Sequence, residues 1–520
     1  MKKRVKKSVV LLTAVLAAVS CIGCSNSKNQ GEPSDAGTKE SVKESIQKSS
    51  ENEGTVKEEP VKLKYVMMGP GMQADAEKVW DAFNAKLQEK GINAEIDFEV
   101  YTGSEYKEKF MLMLSAREQV DIVNTYGLDF ENEVANGTFA PLDDLLNEYG
   151  SGILDNYEDW FWEYMKVDGV VYGIPTWQIN VTSNAILLHK ADAEKYLDID
   201  ALKQELNASN HITEEYMQVL DDYLKAMAAD GVHYKTTRAP FPRGYESLYS
   251  IAMIDYETGK ISNFYETQDY YLRCKYAAKW YEDGFIREDV LSAGEWENAF
   301  DIRGWAFNDC NYTITCEKGF SERAGEEMLA IPYERNNEWM GGKNGAGGTC
   351  ITQSCENKEV AMQVLNLLQT DSEMYNLLVY GLEGEHYTMA VDNVVKVPYT
   401  QQGGADDAYG LWKWIIGNTK LAYATESEGA EYKEWVEKVN STEKISPALG
   451  FVCDTSGLED YVTQVNAVIS KYDYALYQGA YGKDWEKTYN EFIKELKEVG
   501  GKEIMEEIQK QYDAFLAGKK

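Results

Sequence analysis

The pattern of apolar and polar positions divides the chain before composition is considered. Val9 to Val19 carry no charge and follow MKKRVKKS, which holds five Lys or Arg. A run this short cannot span a bilayer as a helix and reads as the n- and h-regions of a secretory leader. From Ser25 to Pro60 there is no aromatic residue, and Ser, Lys, Glu, Gly and Asn dominate. Such a segment cannot bury enough apolar surface to offset its conformational entropy, and is expected to be a flexible tether reaching about 30–36 Å. Regular periodicity begins at Val61. Val61, Leu63, Tyr65 and Met67 alternate with polar positions, and Met68-Gly-Pro-Gly71 breaks the strand. Ala76, Trp80, Phe83 and Leu87 then recur at helical spacing, Gly91 stops that helix, and Ile92 to Val100 alternates again. The unit is strand, helix, strand. A helix near 104–117, a short strand in VDIVNTYG and another helix extend it, so the pattern predicts a mostly parallel sheet covered by helices.

Ligands of open α/β sheets bind beyond the carboxyl ends of the strands, here Met68-Gly-Pro-Gly71 and Asn124-Thr-Tyr126-Gly127. Further on, VDGVVYGIPTWQINVTSNAILLHKADAEKY (167–196) pairs an Asp168-Gly169 turn with a strand and a helix, which points to the chain leaving one sheet for another. Helical spacing of Tyr216, Leu220, Leu224 and Met227 builds a second lobe, and GWAFNDCNYTITCEKG (304–319) is strand-like. Three amphipathic faces close the chain: Leu458 to Ile469, Trp485 to Leu496 and Ile504 to Leu516. They are expected to dock on the lobes.

Composition then narrows the function. The folded body of about 460 residues exceeds what one hydrophobic core serves, so two lobes are expected. The formal charge is −35, and removing the leader's five positive charges leaves −40. That field excludes nucleic acid and anionic membrane surfaces as partners. Beyond Cys24 the cysteines are Cys274, Cys310, Cys316, Cys350, Cys355 and Cys453; no CxxC occurs and the four histidines are scattered. Neither a metal site nor a cofactor is expected. Buried free thiols are the first reading of these cysteines, and one disulfide among Cys310, Cys316, Cys350 and Cys355 is the second. GKNGAGG (342–348) lacks the GK[ST] ending of a phosphate loop and reads as a turn.

Ser20-Cys21 and Gly23-Cys24 each place a small residue before a cysteine, which resembles a bacterial lipobox, with Cys24 favoured over Cys21 as the lipidated residue. Together with VDGVVYGIP, GGTCITQSCENKEVAMQVLNLL, VYGLEGEHYTM and the tail PALGFVCDTSGLEDYVTQVNAVISKY, this order of segments is similar to the extracellular solute-binding lipoproteins of ABC importers, family 1 type, of the LplA/LipO-like subgroup. The likeness covers essentially 61–518. In the tail, Cys453 and Gly457 stand where that pattern commonly has an aromatic residue and a proline.

The resemblance implies a two-lobed α/β fold of the periplasmic-binding-protein class II type, closing about a hinge. The expected divisions are a leader (1–23), a tether (24–60), lobe 1 (61–178 with 305–370), lobe 2 (179–304 with 371–450) and a C-terminal helical region (451–520). Chain crossings are expected near 178–184, 304–308 and 366–374. It further implies a monomer, held on the extracytoplasmic face of the cell membrane by a lipid anchor that includes palmitate, which hands its solute to ABC permease subunits.

With 36 Tyr and 12 Trp, aromatic residues exceed what a core usually demands. A sugar presents apolar C–H faces ringed by hydroxyls, and asks for flat aromatics beside amides and carboxylates. The candidate ligand contacts are Trp177 with Gln178, Tyr126, and Asp309 with Asn311 and Tyr312, followed by Met68, Gly69, and Glu383 with His386. A carbohydrate or oligosaccharide is the expected solute. A peptide or other organic solute is the alternative, in which case Arg238 or Arg243 should stand in the cleft. An exported glycoside hydrolase is more remote: pairs such as Asp143-Asp144 or Glu282-Asp283 lack a catalytic setting, and neither GxSxG nor HExxH is present.

Overall fold

The computed structural model describes residues 59–181, 183–234, 239–293, 304–335, 339–340, 347–391, 393–397, 408–442 and 444–518. Cys21, Cys24, Arg238 and most of the GKNGAGG run lie outside the described residues. All described residues belong to one unit that begins at Glu58.

Alternation in the sequence becomes the first sheet. Val61–Met68 pairs in parallel with Ala94–Tyr101 on one side and with Ile122–Asn124 on the other. On Ala94–Tyr101 the inward positions Ala94, Ile96 and Phe98 are buried while Glu95 and Asp97 face water. The helix Ala76–Glu89 lays Val79, Trp80, Phe83 and Leu87 over this sheet, with Phe83 edge-on to Phe98 at 5.4 Å. Two antiparallel strands complete the order: Gly348–Ile351 pairs with Ile122–Asn124, and Ile174–Pro175 pairs with Gly348–Ile351. The sheet is therefore parallel in its first three strands, and a strand from much later in the chain is inserted between them and the edge strand Ile174–Pro175.

A second sheet has Asn184–His189 at its centre, flanked by Phe307–Asn311 and Met328–Pro332, both antiparallel to it. All six residues of the central strand are buried, and its middle, Ala185–Leu188, reads as an unbroken apolar run. Helices Glu214–Ala229 and Gln268–Glu282 cover it, burying Leu220, Leu224, Tyr276 and Trp280. A hairpin sheet, Tyr245–Tyr249, Ala252–Asp255 and Ile261–Asn263, carries a third core with the closing helices Glu459–Tyr477, Trp485–Leu496 and Lys502–Gly518. Where Glu459–Tyr477 ends, Gly479 takes φ +70°, and a Cβ there would lie 2.1 Å from the Ala277 carbonyl oxygen.

The division into lobes differs from that expected. Residues 305–335 belong with the second lobe, because Phe307–Asn311 and Met328–Pro332 find their hydrogen-bonding partner in Asn184–His189. The described residues of 371–436 belong with the first, because Met374, Leu378, Tyr409, Ile416 and Val436 share its core. The chain passes between the lobes at 178–184 as expected. The other passages fall between Tyr333 and Gly347 and near 437–446 rather than at 304–308 and 366–374. At the latter, Lys358–Thr370 leads directly into Ser372–Tyr380 within one core. A short parallel pairing of Trp339–Met340 with Lys444–Ile445 sets the second and third passages side by side.

Candidate ligand-binding cleft

A cavity of about 650 Å³ opens where these passages meet. One wall comes from the second lobe: Ser183, Asn184, Asn311, Tyr312 and Thr313. Opposite stand Leu411, Lys413 and Trp414, then Thr419, Lys420 and Ala422 to Thr425, and the inner face of the helix Glu431–Asn440, with Tyr432, Lys433, Val436 and Glu437. Trp177, Gln178 and Ile179 run along the back.

The aromatic surface is braced from behind. Trp414 lines the cavity, stacks on Trp412 at 5.5 Å and 9°, and meets the Tyr126 ring edge-on at 5.0 Å. Burial pushes the Tyr126 hydroxyl up to about 12, and the Gln178 amide donates to it at 2.6 Å. Tyr380 stacks on Tyr423 at 6.5 Å, while Tyr312 reaches across to the opposite wall and stands edge-on to Trp435 at 6.1 Å. Rings held this way keep their faces oriented without a ligand, which lowers the ordering cost of binding.

Charges in the cleft are mostly matched. Glu428 is buried, accepts the Thr425 N–H at 2.9 Å and pairs with Lys413, whose ammonium lies 5.1 Å from the Tyr432 ring centroid. Burial holds the Lys433 ammonium below its usual range, with Glu437 opposing and Lys413 adding to the shift. Asn440 ties two passages together: its amide donates to the Gln178 carbonyl at 2.5 Å and accepts from the Asn180 N–H at 2.9 Å.

A family described as "Domain of unknown function (DUF3502)" matches residues 447–517, the region of the three closing helices. Over 448 residues, 84% of this chain and 87% of the relative, the sequence is 25% identical to a carbohydrate ABC transporter substrate-binding protein of Streptococcus pneumoniae. The N-glycan transport solute binding protein NgtS of S. pneumoniae superposes with a TM-score of 0.72 at 23% identity, covering 88% of this chain and 100% of that one. The fold is that of a solute-binding protein. NgtS has also been solved with Man1GlcNAc and with Man5GlcNAc. An HMO-binding, ABC-transporter-associated solute-binding protein of Bifidobacterium longum infantis shares the fold at a TM-score of 0.58 and 14% identity, covering 88% of this chain and 99% of its own.

Within this solute-binding fold, Trp177, Gln178, Asn311 and Tyr312 line the cavity. Trp177 is nevertheless buried, with the Lys420 ammonium 4.5 Å over its ring, so it offers a ligand little free face. Tyr126 sits one layer behind, supporting Gln178 and Trp414. Asp309 does not line the cleft. Its carboxylate accepts the Phe241 N–H at 2.8 Å and the Tyr333 hydroxyl at 2.7 Å, with the Arg243 guanidinium 3.7 Å away. Arg243 also donates to Asn184 at 2.7 Å, which spends the charge the peptide alternative needs inside the second lobe.

Met68 and Gly69 are packing residues at a strand end. A Cβ on Gly69 would come within 2.5 Å of Val100 Cγ1, so glycine is required there by a neighbouring side chain. Glu383 is exposed, and His386 is buried away from the cleft. The His386 ring accepts the Leu382 N–H at Nδ1 (2.9 Å), which leaves the proton on Nε2, facing Asp75 at 3.2 Å. Asp75, Glu385 and His386 bring ligand atoms within 4.8 Å of one another, but each already has a partner: His386 Nδ1 takes the Leu382 N–H, its Nε2 faces Asp75, and Glu385 pairs with the Lys78 ammonium. The set is a structural bridge between the loop at 382–386 and the start of the first helix.

The residues missed from sequence are Trp414, Lys413, Tyr432, Lys433, Tyr380 and Tyr423. The Trp412-Lys-Trp414 triplet was the available signal, since two indoles two apart at the start of a four-residue helix have no core-forming period.

Proposed function

We propose that this protein captures an oligosaccharide between its lobes and delivers it to an ABC permease, without transforming it. The observation that carries the proposal is the composition of the cleft: the braced ring of Trp414 with Tyr312 and Tyr432, beside the neutral groups of Gln178, Asn311, Ser183 and Thr425. Stacking platforms with hydroxyl- and amide-bearing neighbours suit sugar C–H faces and their hydroxyl rims. Turnover finds no support, since glycoside hydrolysis needs two available carboxylates across the bond, and Glu428 is already tied to Lys413 and a backbone N–H. The names of the relatives point the same way. Lipidation at Cys24, or Cys21, and display on the outer membrane face complete the proposal, because the tether lets a receptor search the surface at high effective concentration.

The test is thermal unfolding of the protein with neutral oligosaccharides, including Man5GlcNAc, and with short peptides. A ligand at 100 times its Kd adds about 2.7 kcal/mol to stability. A shift with an oligosaccharide that is recovered intact, weakened about tenfold or more in Kd by Trp414→Ala, is the expected result. A shift with peptides alone, or cleavage of the glycan, sinks the proposal.

A further inference from the structure

The cleft wall formed by Asn311, Tyr312 and Thr313 is bracketed in the chain by two cysteines. Cys310 lies on Phe307–Asn311, opposite Ala185, and Cys316 opens the nine-residue helix Cys316–Ala324. Between them the backbone doubles back: the Cys316 N–H donates to the Thr313 carbonyl at 3.1 Å. The Tyr312 N–H donates to the Ser183 carbonyl at 3.0 Å, and the Ser183 hydroxyl donates to the Tyr312 carbonyl at 2.5 Å. The turn returns Cys316 to Cys310, and both pack on one small apolar cluster with Ala185, Leu187 and Trp305. There the Cys310 and Cys316 thiols interact with one another. Both are partly accessible, whereas Cys274, Cys350 and Cys355 are buried.

We propose that Cys310 and Cys316 are a redox pair whose disulfide locks the Asn311–Thr313 wall of the cleft. The two sulfurs have different roles. Its interaction with Cys310, opposed by burial and aided by the Thr313 and Glu317 backbone at the start of the helix, holds the Cys316 thiol below the usual range and marks it as the attacking sulfur. Cys310 is pushed up by its interaction with Cys316 and by burial, so it remains the resolving thiol.

The oxidant is a small exogenous disulfide such as oxidised glutathione. The Cys316 thiolate attacks one of its sulfurs, breaking that S–S bond and releasing one glutathione thiolate, which takes up a proton. Cys310 then loses its proton and attacks the Cys316 sulfur of the mixed disulfide, expelling the second glutathione. The pair has lost two electrons and two protons, and oxidised glutathione has become two thiols. That the locked wall matters for a bound solute rests on the function proposed above; formation of the bond does not.

Tryptic peptide 304–318, GWAFNDCNYTITCEK, carries both cysteines and no internal cleavage site. The protein is equilibrated with oxidised or reduced glutathione, blocked with iodoacetamide and digested. In the oxidised sample the peptide is expected unalkylated and two hydrogens lighter than in the unmodified reduced form. Cys310→Ser should stop at a glutathione adduct on this peptide, and Cys316→Ser should take up none. Hydrogen exchange at Tyr312 to Thr315 should slow by about tenfold or more in the oxidised protein. Alkylation of both cysteines in oxidised buffer, or equal adducts in the two variants, overturns the pair, and unchanged exchange overturns the lock. None of these readouts needs a glycan, so failure of the sugar-binding proposal leaves them intact.

Discussion

His211 lies between two carboxylates, with Nε2 3.0 Å from Asp255 and Nδ1 3.4 Å from Asp269. Asp269 also accepts the Ile212 N–H and the Tyr245 hydroxyl, so one imidazole joins a loop, the hairpin sheet and the Gln268–Glu282 helix. Burial alone would lower its pKa, but Asp269, Asp255 and Glu257 together raise it above the ordinary 6.5. A raised folded-state value stabilises most below the unfolded value, and that contribution is lost as pH rises through the folded one. Urea midpoints across pH 5–9 should show His211→Gln destabilised by about 1–2 kcal/mol at pH 5.5, with the gap shrinking toward pH 9. A pH-independent gap would assign the residue to packing alone. Such roles are poorly legible in sequence. Trp177 stood out as an aromatic at a crossover, but whether its face is free depends on Lys420, far along the chain.

At the scale of elements, what was local was legible. Period two in Val61–Met68 and Ala94–Tyr101, and period 3.6 in Ala76–Glu89, each record one buried face, and the structure returns those elements almost residue for residue. Pairing was less so. Asn184–His189 is buried on both faces, and an unbroken apolar run carries no sign of which later strands flank it, so Phe307–Asn311 was assigned to the wrong lobe. Close approaches between elements are equally silent. Gly479 combines a left-handed φ with contact to the backbone at Ala277, between Glu459–Tyr477 and Gln268–Glu282. Gly479→Ala should therefore cost about 2–4 kcal/mol, the strain adding to the clash. The urea midpoint measures it, and a loss under about 1 kcal/mol, the ordinary scale of a glycine-to-alanine conformational effect, would show the junction to be pliable.

For the whole molecule, the charge of −40 that removal of the proposed leader would leave and the proposed lipid attachment would act together: like charge would keep the body off an anionic surface while the proposed tether kept it near. Metabolic labelling with palmitate in a lipoprotein-processing bacterium should be abolished by Cys24→Ala and retained in Cys21→Ala. The reverse pattern would move the anchor to Cys21, and labelling of both variants would remove the lipid assignment from this pair.

The first sheet has a further consequence, in the order of events during synthesis. Gly348–Ile351 sits between Ile122–Asn124 and Ile174–Pro175, and the first core also needs Val436 and Leu449. The amino-terminal lobe thus cannot finish while it is being made. It waits, with the Ile122–Asn124 edge open, until the other lobe's Asn184–Pro332 stretch has been threaded out. An open edge is a site for unwanted strand pairing, so the nascent chain is most vulnerable midway through its own production, when its oldest sheet is still missing its youngest strand.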